Sequence, residues 1–90
     1  MLARSLVGER LAACANIVSG VRSIYRWQGK VEDEPEVLLV IKTRAELVES
    51  LARRVAELHP YELPEVVALE AVDGLPDYLD WVFAETRADD

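Results

Sequence analysis

There is a single cysteine and a single histidine among the 90 residues. Cys14 alone permits no intrachain disulfide and no CxxC zinc site. His59 alone makes no multi-histidine metal centre within one chain. Basic residues are also scarce: 10 Lys and Arg against 17 Asp and Glu leave a net charge of −7. Phosphate backbones attract basic surfaces, so nucleic acid is not the expected partner. Val37-Leu38-Leu39-Val40-Ile41 is the longest run of large apolar residues, far short of the ~20 a membrane-spanning helix needs. No basic segment precedes an apolar stretch of signal-peptide length, which gives a soluble, cytoplasmic reading. Ser-His-Asp and Cys-His spacings, a glycine-rich phosphate loop and HExxH are all missing, so an enzyme is not expected.

What is present is apolar: hydrophobic residues make up 51% of the chain and charged residues 30%. A disordered tail lacks that capacity for burial. The length fits one domain over residues 1–90, since compact domains run from roughly 50 to 250 residues. Such a small domain buries only ~60–65% of its unfolded surface, so association with further copies is expected to complete it.

The apolar spacing of Leu2, Leu6, Val7, Leu11 and Cys14 predicts a helix over 2–15, with no capping residue ahead of it. From Asn16 the period shifts towards two. Ser19-Gly20 reads as a turn or bulge, after which Val21, Ser23, Tyr25 and Trp27 share one face. Gln28-Gly29-Lys30 reads as a hairpin turn. The returning strand begins acidic, at Glu32-Asp33-Glu34, and becomes wholly apolar at 37–41. Apolar residues on both faces place that run inside a covered sheet. Pro35 belongs at an edge, bulge or overhang. A second helix is predicted over 44–58, capped by Thr43, with Leu47, Val48, Leu51, Val55 and Leu58 buried and an end at His59-Pro60. Residues 64–72 read as another strand, Asp73-Gly74 as a turn, and Pro76 as the start of a short aromatic helix. This order is a ferredoxin-like sandwich minus its first strand, which in that architecture lies between the third and the fourth.

Four stretches carry a family resemblance: Glu9-Arg10-Leu11-Ala12-Ala13-Cys14-Ala15-Asn16, Ser23-Ile24-Tyr25-Arg26-Trp27-Gln28-Gly29-Lys30, Val37-Leu38-Leu39-Val40-Ile41-Lys42-Thr43 and His59-Pro60-Tyr61-Glu62-Leu63-Pro64-Glu65. With Asp77-Tyr78-Leu79-Asp80-Trp81 they resemble the CutA divalent-cation tolerance proteins. The resemblance implies an α+β, ferredoxin-like, PII-like fold, a homotrimer, and a role linked to divalent metals, copper above all. It also implies that the family's N-terminal strand is missing here, through a late start codon, a truncation or natural shortening.

The resemblance makes His59 the leading metal-ligand candidate, since neutral imidazole suits copper or zinc. The plain alternative is a histidine favouring the negative end of a helix dipole. Cys14 offers a thiolate suited to Cu(I), against the alternative of core packing on the helix stripe. Tyr25 and Trp27 read as subunit anchors sooner than as a ligand cleft. Glu36, Lys42, Tyr61 and Glu65 are polar residues in or beside the matching stretches. An ion pair of Lys42 with Glu36 or Glu65 is the economical reading, and binding of a small anion at a subunit boundary is the functional one. The acidic run Glu32-Asp33-Glu34 reads as a solvated turn or a weak attractor of cations. Three functional readings remain open: metal tolerance, a PII-like regulatory module, and a purely structural trimeric scaffold.

Overall fold

The computed structural model describes residues 1–59 and 63–86. In chain order it holds α1 (Leu2–Gly8), β1 (Cys14–Trp27), β2 (Lys30–Lys42), a 3-10 turn (Ala45–Leu47) leading into α2 (Val48–Leu58), and α3 (Pro76–Glu85). The architecture is α+β, and β1 and β2 form one antiparallel sheet.

α1 ends at Gly8, well short of the predicted 2–15 span. Arg10 turns left-handed, with φ 62. Its N–H donates to Val7 O at 3.0 Å, and the Leu11 N–H donates to Leu6 O at 3.0 Å. Paired bonds of this kind close a helix by the Schellman motif, with an apolar contact across the end. That contact joins Leu6 and Leu11, which are 0% and 1% exposed. The apolar spacing therefore encodes a short helix plus its closing clasp. A left-handed residue with a Cβ costs roughly 1–2 kcal/mol relative to glycine. Arg10→Gly should thus unfold in denaturant at least about 1 kcal/mol later than Arg10→Val. Both variants lose the bond from Arg10 Nη2 to Ala84 O, so their difference isolates the backbone term.

The hairpin turn falls at Gln28-Gly29, where φ is 49 and 82, the two positive values a type I′ turn needs. Between Val18 and Val21 the register shifts, with β1 spending one extra residue against Glu36 and Leu38. Gly20, at φ 80, supplies the left-handed step of this bulge. The extra residue swaps the alternation. Cys14, Asn16 and Val18 consequently share a face with Tyr25 and Trp27, opposite the even-numbered residues of β2. The other face carries Ile41, which packs against the core.

Two expectations are corrected at the ends of elements. Thr43 does not cap the second helix; its hydroxyl donates to Leu11 O at 2.7 Å and ties the clasp after α1 to the end of β2. Residues 64–72 form no strand. A strand needs a ladder partner, and neither β1 nor β2 supplies one to this segment. Leu69 and Val72 consequently stand 91% and 99% exposed.

Leu6, Leu11, Ala12, Leu51 and Val55 form the core, with Leu2 and Ile41 against it. α3 begins with Pro76 at its first turn and buries Val82. Arg44 holds its C-terminal end, donating to Phe83 O at 2.5 Å and Thr86 Oγ1 at 2.9 Å while lying 4.7 Å from the Phe83 ring centre. Cations are favoured at this end of a helix.

The chain exposes 7053 Å². A compact monomer of 10.1 kDa exposes about 5,300 Å². The radius of gyration is 14.7 Å, against about 12 Å for a compact 90-residue domain.

Candidate functional site

Cys14 is the first residue of β1 and lies opposite Lys42 across the ladder. It is half-buried on the sheet and not on a helix stripe, which corrects the packing argument drawn from sequence. Lys42, also half-buried, donates through Nζ to Asn16 Oδ1 on the same face. No ion pair joins Lys42 to Glu36 or Glu65 among the described residues. Glu36 lies six residues away on the same strand, roughly 20 Å at the strand rise, and cannot reach it. Glu36 stands exposed opposite Val21 beside the bulge, and Glu65 is exposed in the segment after α2.

His59 follows the last turn of α2, half-buried, and its N–H donates to Val55 O at 2.8 Å. Tyr61 lies outside the described residues. Among the described residues no group of three or more His, Cys, Asp or Glu is placed to hold a metal ion. Within one protomer the structure brings Cys14, Asn16 and Lys42 together at the base of the hairpin and leaves Glu36 far up β2.

Sequence reasoning overlooked the arginines. An open depression of about 380 Å³ at the bulge is lined by Gly20, Val21, Arg22, Asp33 and Pro35. Arg22 there grips Asp33 with two bonds of 2.8 and 2.5 Å. That bond to the guanidinium holds the Asp33 carboxyl below its ordinary value. The folded value lies below the unfolded one, so the contribution to stability is present at neutral pH and fades only as acid passes the lowered value. An NMR carboxyl titration should therefore place Asp33 below an ordinary aspartate, and Arg22→Met should return it to the usual range. Arg54 forms a second centre, bonded to both Glu9 oxygens at 2.9 and 3.0 Å and to Glu57 at 3.0 Å. These carboxylates raise its affinity for its proton still further and tie the end of α1 to α2. The signal in sequence was only charge composition, with no spacing to single these residues out.

The most extensive feature is apolar. Val18, Tyr25, Leu38 and Val40 are exposed on one face of the hairpin, and Ile17, Ile24, Val31 and Val37 on the other. Exposed apolar patches of this extent mark interaction surfaces. Cys14, Asn16 and Lys42 lie at the base of one of these faces. Among the described residues no helix is long and apolar enough to cross a membrane.

Relatives of similar sequence are described as divalent-cation tolerance proteins or simply as CutA. The chain is 52% identical over 85 residues to the divalent-cation tolerance protein CutA of Thermus thermophilus, covering 94% of this chain and 82% of the relative. It is 48% identical over 87 residues to the human protein CutA, covering 97% of this chain but 49% of the relative. It thus spans about half the length of several of the curated relatives it matches. The solved Thermus thermophilus structure superposes with a TM-score of 0.92 at 51% identity, over 96% of this chain and 84% of that one. A PII-like protein CutA from Nostoc superposes with a TM-score of 0.90 at 45% identity, over 96% of this chain and 84% of that one. The profile described as CutA1 divalent ion tolerance protein matches residues 1–85. By sequence, backbone and motif order together, the chain belongs to the CutA1 divalent ion tolerance protein family.

Proposed function

We propose that this chain is a non-catalytic, cytoplasmic divalent-cation tolerance protein that works as a homotrimer and binds a divalent metal such as copper. The observation that carries the reading is the surface excess. At 7053 Å² the chain exposes about 1,800 Å² more than a compact monomer of its mass. A standard interface takes about 800 Å² from each partner. The excess supports two patches per subunit, which is what a closed ring with head-to-tail contacts uses.

In that assembly His59 and Cys14 are the metal ligands, completed by carboxylates of a neighbouring copy. The residue types fit: an imidazole suits Cu(II), and a thiolate suits Cu(I). Calorimetric titration of copper into the assembled protein should saturate, and His59→Ala should weaken binding about tenfold or more, since even an outer-shell partner of a metal ligand costs about that much when lost. Equal affinity in the two proteins removes His59 from the site.

A second reading is favoured by Lys42, a cation set beside Asn16 at the end of the face where Leu38 and Val40 are exposed. The Nostoc relative's description as PII-like points the same way. Here Lys42 and Tyr61 take a small anionic ligand at a subunit boundary. A selective ligand at a hundred times its Kd adds about 2.7 kcal/mol to apparent stability. Thermal-shift screening with nucleotides and organic acids should then give a hit that Lys42→Ala abolishes. Silence at millimolar ligand argues for the metal reading alone.

A further inference from the structure

The described aspartates differ in what surrounds their carboxyl groups. Asp33 is gripped by Arg22 through two bonds. Asp77 and Asp80 lie inside α3, each followed by a large aromatic residue, Tyr78 and Trp81. Asp73 is exposed in the connection before α3 and is followed by Gly74. Its Oδ1 accepts the N–H of that glycine at 2.8 Å, which sets the carboxyl group against the main-chain nitrogen of the next residue. Asn16, the one asparagine, lies inside β1 and is followed by the branched Ile17.

A main-chain nitrogen beside the carboxyl group of the preceding aspartate can attack it and close a five-membered ring. A side chain on the following residue obstructs that approach, and glycine has none. Packing also holds position 74 to glycine, because a Cβ there would lie 3.1 Å from Leu79 Cδ2 and 3.3 Å from Leu79 Cγ. α3 follows at once: Pro76 stands in its first turn, and Leu79 N–H donates to Leu75 O at 3.0 Å. All of these contacts fall within residues 73–79, so they hold whatever lies against the hairpin.

We propose that Asp73-Gly74 is a self-modification site, where the aspartate isomerises through a cyclic imide. Gly74 N bonds to Asp73 Cγ, and the amide proton leaves with the hydroxyl of the protonated carboxyl group as one water. Water then reopens the ring. Attack at the side-chain carbonyl restores aspartate. Attack at the Asp73 main-chain carbonyl leaves Gly74 joined through Cβ and Cγ, and the former main-chain carbonyl becomes a free carboxylate. The water lost is the water regained, so the product has the mass of the starting chain. Its main chain is one carbon longer just ahead of α3, which moves Gly74 off Leu79 and loosens the first helical turn. The new carboxylate is the group a carboxyl methyltransferase specific for β-linked aspartate would modify.

Ageing the native chain in warm neutral buffer, then digesting it for chromatography and mass spectrometry, tests the proposal. The peptide spanning Asp73 should split into two forms of equal mass, with a transient form lighter by one water. Fragmentation should locate the change at Asp73 before any appears at Asp33, Asp77 or Asp80. Asp73→Glu needs a six-membered ring and should give no second form. Asp73→Asn closes the same ring by losing ammonia and should convert faster, with a gain in mass. The folded chain should convert at least as fast as a free peptide of residues 71–77, and its isomerised fraction should exchange the Leu79 amide faster. Four results overturn the proposal: no second form, a change that begins at another described aspartate, an Asp73→Asn chain that stays intact, or a folded chain slower than the peptide. Equal exchange at Leu79 in the two forms overturns the effect on α3.

Discussion

Replacing Leu6 by alanine should bring the isolated subunit to the edge of unfolding at room temperature. Leu6 is fully buried and is held by Leu11, Ala12, Leu51 and Val55, the rest of a five-residue core. Such a truncation removes about 2–5 kcal/mol, by lost transfer energy and the cavity left behind. A domain of this length has about 5–13 kcal/mol in total, and an extended chain with so small an interior lies at the bottom of that range. The site also closes α1, since the clasp from Leu11 back to Leu6 is the apolar half of the motif. Circular dichroism of dilute Leu6→Ala should show lost helix signal, whereas Val66→Ala, at a surface position, should leave the spectrum and midpoint nearly unchanged.

The second large effect concerns assembly. Ile24 and Val31 are 66% and 64% exposed near the end of the hairpin, on the same face. Ile24 lies opposite Asp33 and Val31 opposite Arg26. The double variant Ile24→Lys with Val31→Glu therefore places a favourable cross-strand charge pair at each position. The hairpin should keep or gain stability, while the apolar surface available to a neighbour is lost. At about 2 kcal/mol for each apolar anchor removed, the proposed trimer should weaken about a thousandfold. Sedimentation should show the variant as monomer where the native chain is assembled, with the strand signal retained. A variant that assembles normally would move the interface off the hairpin.

Local chemistry made much of the fold legible. Gln28-Gly29 and Ser19-Gly20 announced the turn and the bulge because only particular residues take positive φ, and Pro76 announced α3 because its fixed φ suits a first turn. The errors arose where one pattern has two physical causes. Leu11 keeps helical spacing with Leu6, yet it does so from beyond a left-handed Arg10. Residues 64–72 have the composition of a strand, but a strand is a property of a pair, and its partner is not within β1 or β2. Thr43 has the chemistry of a cap and spends it on Leu11 O.

The site was less legible than the fold. His59, Cys14, Glu36, Lys42 and Glu65 were each visible as residue types, but one protomer does not gather them into one centre among the described residues. Sequence periodicity reports the faces of a single chain, and contacts made across a symmetry axis leave no separate signature. Arg44 and Arg54 were missed for a related reason. Their partners at Phe83, Thr86 and Glu9 are distant in sequence, and only the folded backbone brings them within hydrogen-bond reach.

The proposed function depends on several copies sharing what one copy leaves open. The molar mass of the native chain by light scattering at micromolar concentration tests this most directly. Three copies or a multiple of three are expected, with each subunit of 10.1 kDa. A stable, folded single copy with its hairpin in solvent would contradict it.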